Sequence, residues 1–153
     1  MKKSILQTGI QYGIRVSIAL ITYFIIMSIF NLSQNISFRF LNILIIMSGI
    51  YYAIKNYQKM HVKNEGDYLE GIGVGLSTVF FSTIIFSIFM FSYMKYLNPD
   101  FVQLIQENSF GEIMNIYIIS FSIFIEGLGF GSVGTFITMQ WLKTSHSNEV
   151  HTV

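Results

Sequence analysis

The stretch IYIISFSIFIEGLGFGSVGTFITMQW, residues 116–141, decides the fold of this chain. It is apolar over more than the roughly 20 residues that an α-helix needs to cross a bilayer core of about 30 Å. Glu126 is its only charged residue. Trp141, with Lys143 two positions later, is typical of the boundary between lipid and water. The stretch therefore predicts a transmembrane helix, which the flanking apolar residues extend to 113–142.

Three further apolar segments precede this one. They are residues 9–30, 37–54 and 71–94. Each is near or above the length of a membrane span, although 37–54 is the shortest and contains Asn42. The only proline, Pro99, lies between the third and fourth segments, where a helix is expected to end.

The pattern predicts an all-α membrane protein. A bundle of four transmembrane helices is expected within residues 1–143, and residues 144–153 are expected to form a polar, disordered tail. Composition agrees with a lipid-facing surface, because only 11% of the residues are charged and an ordinary soluble domain carries about 25%. The net charge of +1 gives no electrostatic case for a nucleic-acid partner, and the absence of cysteine excludes disulfides and thiolate metal sites.

The distribution of lysine and arginine predicts the orientation. The first group lies at the N-terminus, between spans two and three, and after span four: Lys2, Lys3, Lys55, Lys59, Lys63 and Lys143. The other two loops hold only Arg39 and Lys95. Since cytoplasmic loops are rich in basic residues, both termini are expected in the cytoplasm of a bacterial cell, with the chain in the inner membrane. No A-x-A-type cleavage site follows the first segment, which favours an uncleaved span over a signal peptide.

Gly129, Gly131 and Gly134 have the G-x-G-x-x-G spacing of a dinucleotide-binding turn. That turn works only where a strand precedes it and its amides open a water-exposed helix. Here the glycines lie in the middle of a predicted membrane span. The spacing therefore does not predict a nucleotide site.

A second glycine spacing, G-x-x-x-G, occurs in two spans. Gly71 and Gly75 begin the third segment, and Gly127 and Gly131 lie in the fourth. Small residues four apart on a helix let another backbone approach closely in lipid. The two pairs are expected at different depths, so they need not face each other. We expect all four glycines to be helix-packing positions.

Glu126 is expected to lie near the middle of the bilayer, because fifteen residues separate it from Trp141, or about 22 Å of helix. A charge at that depth costs at least ~2.5 kcal/mol. The carboxyl is therefore expected to face the bundle interior, to find partners or to be protonated. One hypothesis makes it a hydrogen-bonded structural acid, and the other makes it the coupling carboxylate of a small proton-linked transporter.

Arg15 is the other charge within an apolar segment. The first span can run from residue 16 to 32 without it, so Arg15 is expected at the cytoplasmic boundary of the membrane. Glu70, at the start of the third span, is expected at a similar depth. A pair between Arg15 and Glu70 is therefore favoured over a pair between Arg15 and Glu126.

No residue pattern predicts catalysis or metal binding. His61, His146 and His151 all lie in predicted loops or the tail, and none has the spacing of a helical metal site. No serine lies in a nucleophile-elbow sequence. We expect a protein that is not an enzyme and that uses no cofactor.

Three short motifs carry a resemblance to a known family. They are YYAIKNYQ at 51–58, DYLEGIGVGL at 67–76 and YLNPDF at 96–101. With the four short spans, they resemble a bacterial family of small integral membrane proteins catalogued as domain of unknown function 4199. The resemblance covers nearly the whole chain and implies the topology, but it implies no activity and no catalytic residue.

These observations predict a non-enzymatic packing or accessory component of the inner membrane. Its expected partners are the lipid bilayer and either further copies of itself or a larger membrane complex. The alternative is a small proton-coupled transporter that uses Glu126.

Overall fold

The computed structural model describes residues 4–30, 36–60, 67–99, 102–103 and 115–150. Four long α-helices occupy these ranges, and no strand occurs in them. The helices are α1 (Ile5–Ile29), α2 (Ile36–Met60), α3 (Asp67–Ser92) and α4 (Ile116–Val150), and a π-helical turn (Tyr93–Leu97) continues α3. The all-α prediction is confirmed.

The ends of two helices follow from their local sequence. Ser4 caps α1: its hydroxyl accepts a hydrogen bond from the Gln7 backbone N–H (3.2 Å), and the Gln7 side chain accepts one from the Ser4 N–H (3.3 Å). This reciprocal pair satisfies two N–H groups that the first helical turn leaves without partners. At the other end of the bundle, the Asn98 N–H donates to the Tyr93 carbonyl (3.0 Å) and closes the π-helical turn before Pro99.

Within the described residues, three helices are long and apolar enough to cross a membrane: Ile5–Ile29, Tyr68–Leu97 and Ile116–Leu142. They support a membrane protein. The helix α2 is not among the three, although it has 25 residues. Its polar residues Asn42, Lys55 and Lys59 lower its hydropathy. A membrane span within α2 therefore stays a prediction.

The helix α4 is longer than the span expected at 113–142. It continues to Val150, so the tail expected to be disordered from residue 144 is helical as far as that residue. No glycine or proline follows Gly134 in the sequence, and these residues are the strongest helix terminators. A polar composition alone does not end a helix.

The helix α3 lies at the centre of the bundle and packs against α1, α2 and α4. Its neighbour α1 runs in the same direction, and α4 runs in the opposite direction. One apolar cluster joins all four helices. Its most deeply buried members are Leu20, Ile50, Ala53, Ile54, Val74 and Val79. A second, aromatic cluster lies toward the π-helical turn and contains Phe24, Met90, Tyr93, Met94 and Ile119.

Candidate functional site

The predicted packing glycines of α3 lie in its interface with α4. A Cβ built on Gly71 falls 2.7 Å from the Met139 Cε atom, and one built on Gly75 falls 2.9 Å from the Thr135 hydroxyl. Both distances are shorter than a methyl group tolerates. The absence of a side chain at Gly75 therefore lets α4 approach α3, whereas the flexible end of Met139 beside Gly71 can move aside at lower cost.

The predicted packing glycines of α4 lie in the same interface, further along it. A Cβ on Gly127 would overlap the Thr83 methyl group, and one on Gly131 would overlap the Val79 side chain. The four contacts form a single antiparallel seam, because residues later in α3 contact residues earlier in α4. Each glycine faces a larger side chain of the other helix, and the two glycine pairs do not face each other.

A third pair of packing glycines escaped the sequence analysis. Gly9 and Gly13 of α1 have the same four-residue spacing, and both are buried against α3. A Cβ on Gly13 falls 2.7 Å from the Phe81 Cβ and 3.1 Å from the Thr78 carbonyl oxygen. The stretch GIQYG, residues 9–13, has the same G-x-x-x-G spacing as the other two pairs.

The G-x-G-x-x-G spacing of Gly129, Gly131 and Gly134 lies within one continuous helix. No strand precedes it in the described part of the chain, and no helix begins there. Gly131 and Gly134 are buried, whereas a Cβ on Gly129 would have no atom within 4 Å. The three residues thus form no phosphate-binding turn.

Glu126 lies on the exposed face of α4 and not in the bundle interior, which is one of the three alternatives that the sequence leaves open. The inward face of α4 is set by residues four apart in the seam: Gly127, Gly131, Thr135 and Met139. Glu126 and Phe130 precede the first two of these and point outward, with Phe130 47% exposed. Glu126 lines neither the groove between α1 and α2 nor the groove between α3 and α4.

The structure does not bring Arg15 and Glu70 together. The Glu70 carboxylate accepts a hydrogen bond from the Tyr57 hydroxyl of α2 (3.0 Å). The Arg15 guanidinium lies over the Tyr12 ring, 5.1 Å from its centroid. Each charge thus has its own aromatic neighbour, Tyr57 for Glu70 and Tyr12 for Arg15.

The register of the helices explains this separation. In the α1–α3 interface Ile5 lies beside Gly73, and Gly13 beside Phe81, so Arg15 is level with Thr83. Glu70 precedes Thr83 by thirteen residues, which is about 20 Å of helix. The equal depth expected for Arg15 and Glu70 is therefore not observed.

The same register brings Arg15 and Glu126 to one depth. Gly127 of α4 packs against Thr83, which is level with Arg15, so Glu126 and Arg15 lie within about one helical turn of each other along the bundle. They lie on α1 and α4, and both side chains are exposed. The sequence, with a membrane boundary placed at Arg15, predicts depths that differ by roughly two helical turns or more, and the register of the helices does not show that difference.

Arg15 borders an open groove between α1 and α2 with a volume of about 390 Å³. Tyr12, Arg15, Ser48 and Tyr52 supply its polar groups, and Val16, Ala19 and Ile45 supply apolar walls. Gly49 helps to form it, because the missing side chain makes room for Val16. A groove of this kind can receive an apolar segment that carries one negatively charged or acceptor group.

The described residues also limit the chemistry. They contain no group of three or more His, Cys, Asp or Glu side chains that could hold a metal ion. His61, His146 and His151 lie outside the ranges whose side chains are described.

Comparison with known proteins places the chain in a family. A family model described as "Protein of unknown function (DUF4199)" matches residues 11–144, which include most of α1 and α4 and all of α2 and α3. Searches of the curated proteins and of the solved structures gave no match. The resemblance inferred from the three motifs is thereby confirmed. This apolar helical chain belongs to the DUF4199 family of proteins of unknown function.

Proposed function

We propose that this protein is a non-enzymatic packing or accessory component of the bacterial inner membrane, which associates with further copies of itself or with a larger membrane complex. It crosses the membrane four times, with both termini in the cytoplasm. The observation that carries the proposal is the position of Glu126 on the outward face of α4.

A carboxyl on the outward face in the middle of a membrane span is better accommodated by protein than by lipid. Exposure of an ionised side chain to the hydrocarbon core costs at least ~2.5 kcal/mol. Association with another membrane helix replaces lipid by protein around the carboxyl. The outward face of α4 is therefore the surface of the bundle that contact with a protein partner stabilises most.

The burial of the helices supports the same surface. Only 17% of the most apolar stretch of α4 is buried within the bundle, compared with 44% for α3. The exposed residues of α4 include large apolar side chains: Phe121, Ile125, Phe130, Val133, Phe136 and Ile137. Gly129 lies among them with open space above it. A glycine on an outward face allows close approach of a second helix.

Lysines support the proposed orientation. Lys55 and Lys59 are exposed near the end of α2. The Lys55 ammonium donates a hydrogen bond to the Tyr51 hydroxyl (3.0 Å), and this bond raises the pKa of Lys55. The side chain therefore keeps its positive charge at neutral pH, as the positive-inside rule requires of a cytoplasmic lysine.

The experiment that tests the proposal is purification of the tagged protein from its own membranes in a mild detergent. We expect a particle that contains more than one polypeptide. Gly129→Leu should remove the additional polypeptide without lowering the stability of the fold, because its side chain points into open space. Thr22→Leu, at an exposed position of α1, is the matched control and should retain it. A parent protein that purifies as a single chain with no partner would overturn the proposal.

The rival function, a proton-coupled transporter, makes a different prediction for Glu126. A carrier needs polar groups that line a path near the membrane midplane, and Glu126 borders neither groove of the described residues. In a carrier, Glu126→Gln would abolish proton flux into vesicles and leave the fold intact. In an accessory component, vesicles with parent and Glu126→Gln protein should show the same flux.

A further inference from the structure

We propose that the α1–α2 groove of one copy receives the outward face of α4 from a second copy, with Arg15 of the first paired to Glu126 of the second. This inference rests on the proposed function and deepens it, because it names the partner as a second copy. The groove is bordered by Arg15 and is about 390 Å³ in volume. The α4 face is defined here as Ser122, Ile125, Glu126, Gly129 and Val133, all exposed.

Arg15 and Glu126 lie at the same depth along the bundle. Copies of a protein that insert with the same topology are related by rotation about the membrane normal, so two groups can meet between copies only if they lie at the same depth. Arg15 and Glu126 satisfy this requirement, because both are level with Thr83 of α3. Glu70 does not satisfy it with Arg15, since it lies about 20 Å along the helix axis from that level.

Arg15 and Glu126 are also side chains of opposite charge. Arg15 is the only Lys or Arg within the apolar helix α1, and Glu126 is the only Asp or Glu within Ile116–Leu142. The two groups have opposite signs, and both are exposed on the surface of the bundle. A guanidinium and a carboxylate form short, charge-assisted hydrogen bonds in a fixed fork geometry. A pair between the two groups carries no net charge within the membrane.

The α1–α2 groove and the α4 face also match in the arrangement of their side chains. Apolar walls from Val16, Ala19 and Ile45 adjoin the polar side chains of the groove. The α4 face has the matching pattern, because apolar Ile125 and Val133 flank the carboxyl and Gly129 leaves the backbone uncovered. Close helix approach in lipid depends on such a small residue.

The arrangement has a consequence for symmetry. The groove is formed by α1 and α2 and the docking face by α4, so the contact joins two different surfaces. Such a heterologous contact gives a ring if the rotation closes. A two-fold dimer would place Arg15 against Glu126 only if one shared surface contained both groups.

Charge reversal tests the pair directly. The protein is reconstituted at several protein-to-lipid ratios, and its association is measured from the efficiency of energy transfer between labelled copies. Arg15→Glu and Glu126→Arg should each weaken association by at least about tenfold. The double variant, which exchanges the two charges, should restore it to within about threefold of the parent. Lys59→Glu reverses an exposed charge of α2 that does not line the groove and should change nothing.

The other possible outcomes distinguish failure of the Arg15–Glu126 pair from failure of the proposed packing or accessory function. If the parent associates and the single reversals associate equally well, the pair is refuted and the packing role stands. If the parent binds other membrane proteins but never itself, the pair is refuted and the accessory role stands. If Arg15→Glu loses bound phosphatidylglycerol while Glu126→Arg associates normally, the groove holds an anionic lipid and the pair is refuted. If the parent neither self-associates nor binds a partner, both proposals fall.

A second measurement tests the same contact without charge reversal, in case the charge-reversed variants fail to insert into the membrane. The chain contains no cysteine, so Ser48→Cys on the groove wall and Ile125→Cys on the α4 face can be made singly and carried by copies with different tags. Mixed copies should form a disulfide between Cys at 48 and Cys at 125. A mixture that yields only pairs between identical positions would contradict the heterologous contact.

Discussion

Gly129 and Gly131 lie two residues apart in α4 and have opposite surroundings. A methyl group on Gly131 would overlap the branched Val79 side chain, whereas one on Gly129 would meet nothing within 4 Å. Because β-branched valine is stiff, it cannot move aside cheaply. The pair therefore separates the effect of packing from the intrinsic helix preference of glycine.

We expect Gly131→Ala to lower the free energy of unfolding by about 1–2 kcal/mol, since overpacking outweighs the gain in helix propensity. Gly129→Ala should raise it by about 0.5–1 kcal/mol, because the helix gains a better former at no steric cost. Reversible denaturation in detergent micelles measures both. Equal shifts in the two variants would mean that the α3–α4 seam is looser than its geometry indicates.

Tyr93 offers a second test at a single side chain. Its hydroxyl lies 2.6 Å from the Ser28 hydroxyl and joins α1 to the π-helical turn. Tyr93→Phe removes this hydrogen bond and keeps the aromatic cluster with Phe24. The expected loss of stability is about 0.6–1.5 kcal/mol. Tyr117→Phe, at a ring that is 63% exposed, is the control and should be silent in the same denaturation experiment.

The α1–α3 interface is held by backbone proximity. A Cβ on Gly13 would lie 3.1 Å from the Thr78 carbonyl oxygen and 3.3 Å from the Ser82 nitrogen, and neither backbone atom can rotate away. We expect Gly13→Ala to displace α1 and to cost about 1–3 kcal/mol in stability.

The control for Gly13 is Gly73 of the same interface. Its nearest neighbour is the Ile5 Cγ2 atom at 3.2 Å, on a side chain in the first turn of α1 that can adjust. Gly73→Ala should therefore change the melting temperature in detergent much less than Gly13→Ala. A larger effect at Gly73 would contradict the packing described here.

Apolar runs predicted the existence of the helices better than their ends. The predicted first span began at residue 9, but α1 begins at Ile5 because Ser4 and Gln7 form a capping box. The fourth was expected to end at 142, but α4 continues to Val150. Hydropathy reports contact with lipid, whereas helix ends depend on caps and breakers, so the two boundaries need not coincide.

Depth and exposure were the properties that the sequence predicted least well. Gly71, Gly75, Gly127 and Gly131 were identified from spacing, because four-residue spacing always places residues on one face of a helix. Which face of a helix points inward depends on the neighbouring helices, and the spacing of residues within one helix does not reveal it. For this reason the sequence leaves open whether Glu126 faces the bundle interior, and the structure places it on the exposed face of α4.

The proposed orientation of the whole molecule can be tested with single cysteines. Cysteines at Ser33 and Glu107 should react with a membrane-impermeant thiol reagent on intact spheroplasts, and one at Lys63 should react only after lysis. The reason is the unequal division of lysine and arginine between the two sets of loops. Labelling of the Lys63 variant from outside would reverse the proposed topology.

The central claim is that another protein surface, and not lipid, covers the outward face of α4. Val133 of this face and Ile88 of α3 are similarly exposed in the single chain, at 58% and 61%. Each can be replaced by a spin-labelled cysteine in a chain that has no other. The most direct measurement is the collision rate of each label with dissolved oxygen in reconstituted membranes. The account predicts a label at 133 that is shielded from oxygen relative to the label at 88. Equal collision rates at the two positions would show that lipid covers the α4 face and would contradict the account.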